Sequence, residues 1–334
     1  MRAMVLEAQG RPLVLHDAAS DPVAGPGQVA IRISATGVCR TDLHIVDGEL
    51  PPEKMPVIPG HQIVGVVETV GEGVELALGA RVGVPWLAWT CGVCRACTSG
   101  RENLCERARF TGYHVDGGFA ERCVADARYA FPLPAELDDV HAAPLLCAGL
   151  IGHRALRMAG DPRVLGLYGF GAAAHLVAQV AVWEGRTVFA FTRDGDARSQ
   201  TFARSMGAAW AGGAGEIPPE PLDAAILFAP VGEHVPLALA AVRTGGTVVC
   251  AGIHMTDIPA FPYRLLWGER SVRSVTSLTR RDGVELLALA ARIPLRPHVV
   301  EYRLERANDA LFDLRRGLFD GAAVLRMSDG REER

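Results

Sequence analysis

The sequence predicts a two-domain α/β protein in which an irregular, strand-rich domain is joined to a doubly wound parallel sheet. Three observations carry this. The 334 residues exceed what one hydrophobic core serves, since cores stop growing near about 250–300 residues. Up to about residue 130 the chain is rich in glycine and proline with short β-type runs, whereas from Gly149 onward apolar runs alternate with helical stretches. Finally, one apolar run leads straight into Gly169-Phe170-Gly171 and then a helical stretch.

Within the first part, residues 29–34, 63–70 and 80–84 read as strands between turn signals. In the second part, residues 163–168, 187–192, 224–229, 247–251 and 271–275 are continuous apolar runs suited to strands buried on both faces. Residues 172–183, 197–206 and 235–242 are the helices between them, and strand–helix alternation makes the sheet parallel. Residues 284–291 and 307–316 read as helices, 322–327 as a closing strand and 331–334 as a frayed polar tail.

The composition, with 49% hydrophobic and 22% charged residues and a net charge of −4, is that of a soluble globular protein. Basic residues are scattered, with no run beyond pairs such as Arg280-Arg281 and Arg315-Arg316, so no nucleic-acid partner is expected. No stretch of about 18 apolar residues offers a membrane span, and the N-terminal segment soon turns polar, so a cytoplasmic location is expected. In a long chain of this kind, the 8 cysteines point to metal binding or catalysis and not to a disulfide scaffold.

Cys91, Cys94, Cys97 and Cys105 are so closely spaced that four thiolates can surround one tetrahedral zinc and leave no open position, the structural type of site. An iron–sulfur cluster is the competing occupant of four cysteines. A second set is dispersed: Cys39, His61 and Cys147. Two cysteines and one histidine are a three-ligand set for catalytic zinc, with a fourth position left for water or substrate. Two zinc ions per chain are therefore expected. Asp42 is placed to accept the other ring N–H of His61, although Thr41 and Asp42 also read as a helix cap. Thr41 and His44 form a candidate relay for a proton leaving the metal site. Cys123 and Cys250 are assigned to packing.

In Gly169-Phe170-Gly171-Ala172-Ala173-Ala174, the glycines permit a tight turn and close backbone approach, so that a pyrophosphate can lie on the helix N-terminus. Ala174 stands at the third glycine position, where close helix–strand packing is what matters. Where the second strand ends, an acid for the ribose 2′-hydroxyl is expected, but the chain has Thr192-Arg193, which favours NADP over NAD. Asp194 restores an acid if the register slips by one, so NAD stays open. Arg40 is a second cation that could reach the pyrophosphate.

As a set these residues resemble the zinc-containing alcohol dehydrogenases of the medium-chain dehydrogenase/reductase superfamily, over nearly the whole chain. Gly37-Val38-Cys39-Arg40-Thr41-Asp42-Leu43-His44, Pro59-Gly60-His61, the four-cysteine lobe and Cys147-Ala148-Gly149 stand in family order. The resemblance implies a GroES-like catalytic domain from residues 1–149 and 279–334, with a Rossmann domain at 150–278. It also implies a homodimer or homotetramer, Cys39, His61 and Cys147 as catalytic zinc ligands, Thr41 and His44 as the proton relay, and Trp86 as an aromatic wall of the substrate pocket. Five positions depart from the family pattern. Gln62 follows His61 where the family has glutamate, and Ile151 and His153 replace a common threonine and tyrosine. Leu50 replaces a pocket tryptophan of some relatives, which suggests room for bulkier alcohols, and Ala322 replaces an arginine that often touches the pyrophosphate.

The resulting expectation is reversible oxidation of primary alcohols, aromatic or secondary ones included, to aldehydes or ketones with NAD(P). A polyol or sugar dehydrogenase on the same fold is the near alternative, disfavoured by the apolar Trp86, Leu87 and Leu50. A zinc-free quinone or enoyl reductase is disfavoured by the cysteines. A catalytically silent cofactor-binding relative is the distant alternative.

Overall fold

A computed structural model describes residues 1–327; the proposed polar tail lies outside the described residues. The chain divides into two compact units, Met1–Cys147 with Ser277–Arg292 and Pro297 onward, and Ala148–Thr276 with Ile293–Arg296. That four-residue return is tied to the second unit through Gln179, whose amide exchanges hydrogen bonds with the Arg296 backbone at 2.9 and 3.1 Å.

The first unit is built on the long strand Gln28–Val38. It pairs antiparallel with Ile63–Val70, Arg122–Asp126 and the closing strand Ala322–Arg326. The sequence suggested an end near residue 34, but the backbone continues through Gly37 because that glycine is in register with Val324 of the closing strand. Its apolar alternation buries Val29, Ile31 and Ile33 in a core shared with Ile63, Val82, Phe119 and Leu325. Residues from both ends of the chain thus complete one β-rich domain of GroES-like type.

The second unit is a six-stranded sheet in the spatial order Trp210–Gly213, Thr187–Thr192, Val164–Tyr168, Leu222–Leu227, Val242–Cys250, Ser271–Ser274, all parallel. The order reverses at Val164–Tyr168, which marks the doubly wound Rossmann arrangement and its crevice. The helices Ala172–Trp183, Ala197–Ser205 and His234–Ala241 are the crossovers. Ala172–Trp183 buries all but one side and packs on Ala148–Met158, where a Cβ at Gly152 would lie 2.6 Å from Val177 Cγ2. Among the described residues no helix is long and apolar enough to cross a membrane.

Candidate active site

Cys39 follows the last residue of Gln28–Val38, and His61 stands two residues before its antiparallel neighbour Ile63–Val70. Strand pairing, sealed by Gly37 N–H donating to the Gln62 carbonyl at 3.0 Å, brings the two side by side. Cys147 ends the 3-10 turn Ala143–Leu146. That turn lies against the same sheet, since a Cβ at Gly83 would meet Leu146 Cδ2 at 2.6 Å.

The Sγ atoms of Cys39 and Cys147 are 3.9 Å apart, and the ligand atoms of Cys39, His61 and Cys147 all lie within 4.8 Å of one another. Tetrahedral zinc–thiolate geometry places two sulfurs about 3.8 Å apart. His61 is fully buried, and its Nε2 has no hydrogen-bond partner among the described residues. Burial alone would lower its pKa, but the Asp42 carboxylate and the Cys39 thiolate outweigh this and raise it to about 10. A hydrogen bond from Cys147 holds Cys39 well below the usual thiol range despite burial, and the same bond pushes Cys147 well above it. The cluster therefore favours positive charge at its centre, and its donors fit a soft divalent ion with a fourth position open.

The helix Arg40–Asp47 is capped by Cys39, not by Thr41 or Asp42 as the sequence suggested: Thr41 N–H donates to Cys39 Sγ at 3.3 Å. Asp42 occupies the third helical position and completes a capping box, its Oδ2 accepting from Cys39 N–H at 2.8 Å. The buried Thr41 sits one turn from His44, whose Nδ1 pairs with Glu49. Arg40 is exposed. Leu50 follows the αL glycine Gly48 and is held by its N–H to His44 O and by Gln9 Nε2 to its carbonyl. Gln62 is buried against Gly37, where a Cβ would lie 2.7 Å from its Oε1.

Trp86 stands edge-on to His61 at 5.0 Å and stacks on Phe110 at 4.9 Å and Tyr113 at 6.0 Å. Phe110 and Tyr113 were not singled out from sequence; their only signal is aromatic residues beyond the cysteine lobe with no periodicity.

In that lobe the four Sγ atoms of Cys91, Cys94, Cys97 and Cys105 lie within 4.8 Å of one another, with Cys91–Cys97 at 3.9 Å and Cys94–Cys97 at 3.5 Å. In an iron–sulfur cluster the thiolates bond different irons and spread around the cluster; sulfurs gathered this closely suit one ion. The Val93 and Cys94 backbone N–H groups lower Cys91 to about 5, whereas burial pushes Cys97 up to about 11. The buried Glu102 carboxylate accepts from Arg280 N–H at 2.8 Å and so anchors the lobe to the helix Arg280–Ala290.

In the second unit Gly169 has φ +84°, and a Cβ there would lie 2.7 Å from Ala229 N, so only glycine fits. Gly171 caps the helix Ala172–Trp183, and a Cβ there would meet nothing within 4 Å. This open space faces the N-terminal turn, whose first N–H groups, those of Ala172 and Ala173 included, have no intrahelical acceptor. Phe170 packs on Phe202 at 5.9 Å. Thr192 ends its strand buried, its hydroxyl donating to Gly212 O at 3.3 Å. Arg193 and Asp194 are both exposed, and the Asp194 Oδ1 lies 2.3 Å from where a Cβ on Gly213 of the adjoining strand would stand.

Two cysteines and a histidine gathered around one point, and a glycine turn opening a helix, are the parts expected of an oxidoreductase. The family described as alcohol dehydrogenase GroES-like domain matches residues 25–135. The chain is 47% identical over 313 residues to "Probable alcohol dehydrogenase AdhA" of Mycobacterium tuberculosis, covering 91% of this chain and 90% of that one. It is 35% identical over 341 residues to an alcohol dehydrogenase of Geobacillus stearothermophilus, covering 98% and 100%. The cobalt- and zinc-bound thermostable alcohol dehydrogenase of Pyrobaculum aerophilum superposes with a TM-score of 0.86 at 29% identity, covering 98% of this chain and 99% of that chain. The chain belongs to the zinc-type alcohol dehydrogenases of the medium-chain superfamily, and it is an oxidoreductase.

Proposed function

We propose that the enzyme carries two zinc ions per chain and reversibly oxidises primary alcohols, aromatic or secondary ones included, to aldehydes or ketones with NADP in preference to NAD. The observation that carries this is the Cys39–His61–Cys147 cluster, its cysteines half-buried and its fully buried His61 with Nε2 turned to no protein partner. The Pyrobaculum relative, described as cobalt- and zinc-bound, supports the choice of metal. The preference for NADP rests on Arg193, exposed and without an ion-pair partner among the described residues, while the Asp194 carboxylate leans toward Gly213.

When bound, zinc supplies Lewis acidity toward the alcohol oxygen and the nicotinamide supplies the hydride acceptor. Asp42 keeps the His61 ring in the orientation that leaves Nε2 for the metal. Thr41 Oγ1 takes the proton leaving the alcohol, and His44, its Nδ1 engaged by Glu49, passes it outward at Nε2. Trp86 and Leu50 bound the apolar end of the substrate and exclude water. Gly169, Phe170, Gly171, Ala172 and Ala173 hold the pyrophosphate on the helix N-terminus, with Arg40 as a further cation for it and Thr192 and Arg193 at the ribose. The apolar set around Trp86 disfavours a polyol substrate. We take the enzyme to be a cytoplasmic homodimer or homotetramer, checked by its mass in solution.

The test is zinc content by elemental analysis together with the absorbance change at the nicotinamide band with benzyl alcohol and either cofactor. Two zinc ions and NADP-linked turnover are expected, and Cys39→Ser should abolish turnover while cofactor binding persists. Full turnover in Cys39→Ser overturns the ligand assignment, and zinc in the lobe alone without turnover favours the catalytically silent relative.

A further inference from the structure

The helix Arg40–Asp47, which carries Thr41 and His44, ends in a turn that closes back on His44. Gly48 takes the αL conformation at φ +79°, so the chain doubles over the last turn and the N–H groups of Glu49 and Leu50 both donate to the His44 carbonyl, at 3.0 and 3.3 Å. From outside, Gln9 Nε2 donates to Ile45 O at 3.2 Å and to Leu50 O at 2.8 Å and fixes the same turn. These backbone ties return the exposed Glu49 to the half-buried His44, where its carboxylate pairs with the ring Nδ1. Glu49 lies outside the residues assigned to ligand, relay, pocket or cofactor.

A carboxylate can only accept, so Nδ1 donates to it and carries a hydrogen whatever the charge of the ring. In the neutral ring this leaves Nε2 as the lone-pair nitrogen. Nε2 is the atom that has to receive a proton from Thr41. An imidazole that loses such a partner also populates the other tautomer, whose Nε2 carries hydrogen and cannot accept, and it gains freedom to turn about its side-chain bonds.

We propose that Glu49 is a positioning residue of the alcohol dehydrogenase reaction, holding His44 in the Nδ1–H tautomer and at the orientation that presents the Nε2 lone pair to the Thr41 hydroxyl. Glu49 stays a carboxylate throughout. The alcohol proton goes to Thr41 Oγ1, the hydroxyl hydrogen of Thr41 goes to His44 Nε2, and Nε2 releases it to water. The proposal rests on the relay reading of Thr41 and His44.

The experiment uses the zinc-loaded enzyme with histidine rings labelled with carbon-13 and nitrogen-15, the His44 signals being identified by their loss in His44→Gln. Ring shifts are recorded above the titration range of histidine for the unmodified protein, Glu49→Ala, Glu49→Gln and Asp47→Asn. Stopped-flow reduction of the nicotinamide by benzyl alcohol gives the single-turnover rate of each, and steady-state turnover gives KM. Asp47 is the control, an exposed carboxylate of the same helix end that pairs with Arg315 instead. The unmodified protein and Asp47→Asn should show the Nδ1–H tautomer, and Glu49→Ala a mixture of both. Glu49→Gln, whose amide both accepts and donates, should fall between. The single-turnover rate should drop about tenfold in Glu49→Ala and less in Glu49→Gln. KM should stay within about twofold, because the ties that hold Leu50 do not use the Glu49 side chain. An unchanged tautomer in Glu49→Ala overturns the proposal, and so does a changed tautomer that leaves the single-turnover rate within about twofold. An unchanged rate in His44→Gln overturns the relay reading itself, whereas a lowered rate there with none lowered in Glu49→Ala overturns the role of Glu49 alone.

Discussion

His61 Nδ1 donates to Asp42 Oδ1 at 3.1 Å, with both side chains fully buried. The same carboxylate accepts from Gly60 N–H at 3.1 Å and Cys39 N–H at 2.8 Å. One residue thus completes the capping box of the helix after the first proposed ligand, fixes the backbone before the second and sets the ring of the second. Metal affinity and local backbone order are joined at this point.

Asp42→Asn keeps the shape but replaces the anion that orients and polarises His61. Affinity at the Cys39–His61–Cys147 cluster should fall about 10- to 100-fold, while the four-cysteine lobe keeps its metal. Zinc retained after graded chelator treatment checks this: one equivalent should leave Asp42→Asn at chelator levels that leave the unmodified protein with two. Identical release from both proteins would show that Asp42 serves the backbone alone.

Thiol chemistry should separate two kinds of cysteine. Removing metal from the folded protein should expose fast-reacting thiols at Cys39 and Cys91, which are held below the usual thiol range, whereas Cys97 and Cys147, which are pushed above it, should react slowly. Cys123 should stay silent until unfolding, because burial pushes it up to about 12 and the thiolate is the nucleophile; burial raises Cys250 as well. Since the folded pKa of Cys123 is above its ordinary value of 9.0, its contribution to stability is complete below pH 9 and is lost as pH rises toward 12. Cys123→Ala should therefore show a shallower alkaline loss of stability in denaturant titrations between those pH values. Reaction of Cys123 in the folded protein contradicts its assignment to packing.

Two glycines of the cofactor turn should respond differently to the same change. Gly169→Ala forces a side chain into αL backbone and against Ala229, so it should destabilise the Rossmann unit by about 1–3 kcal/mol or more. Gly171→Ala enters open space at extended backbone and should leave stability within about 0.5 kcal/mol. Its methyl group would stand where the pyrophosphate must approach, so cofactor affinity should drop. Denaturant melts and cofactor titration of both variants check the pair, and unchanged cofactor binding in Gly171→Ala would move the pyrophosphate elsewhere.

Much of this was legible in the sequence where a local pattern decides the outcome. The apolar runs became parallel strands because burial on both faces needs just such runs, except Ser271–Ser274, which was expected to be buried on both faces but lies half-exposed at the edge of the sheet. The strand Trp210–Gly213 was missed, since Trp-Ala-Gly-Gly offers no β-branched run and is fixed by its neighbour Thr187–Thr192. The helix Arg280–Ala290 starts earlier than its apolar periodicity because a Thr279–Asp282 capping box opens it. The proposed zinc ligands were legible as residue types at suggestive positions, but only strand pairing puts Cys39 beside His61. Cysteine as a helix cap runs against the usual preference, so the role of Cys39 in capping was not foreseen. The stack of Trp86, Phe110 and Tyr113 depends on tertiary packing across residues distant in sequence, and no local signal announces it.

Arg193 carries the last prediction. An exposed guanidinium with no ion pair among the described residues, at the end of the second strand of the Rossmann unit, is available to a 2′-phosphate. A charge-assisted hydrogen bond contributes about 1.5–3 kcal/mol, so Arg193→Ala should weaken NADP about 10- to 150-fold. NAD, which lacks that phosphate, should be affected far less, and the preference should shift toward it. Asp194→Ala should change neither, because that carboxylate is turned toward Gly213 and Glu216. Dissociation constants for both cofactors in the three proteins decide the matter. Equal weakening of NAD and NADP in Arg193→Ala would place Arg193 on a part common to both cofactors, and a gain in NADP affinity in Asp194→Ala would mean that the acid faces the ribose after all.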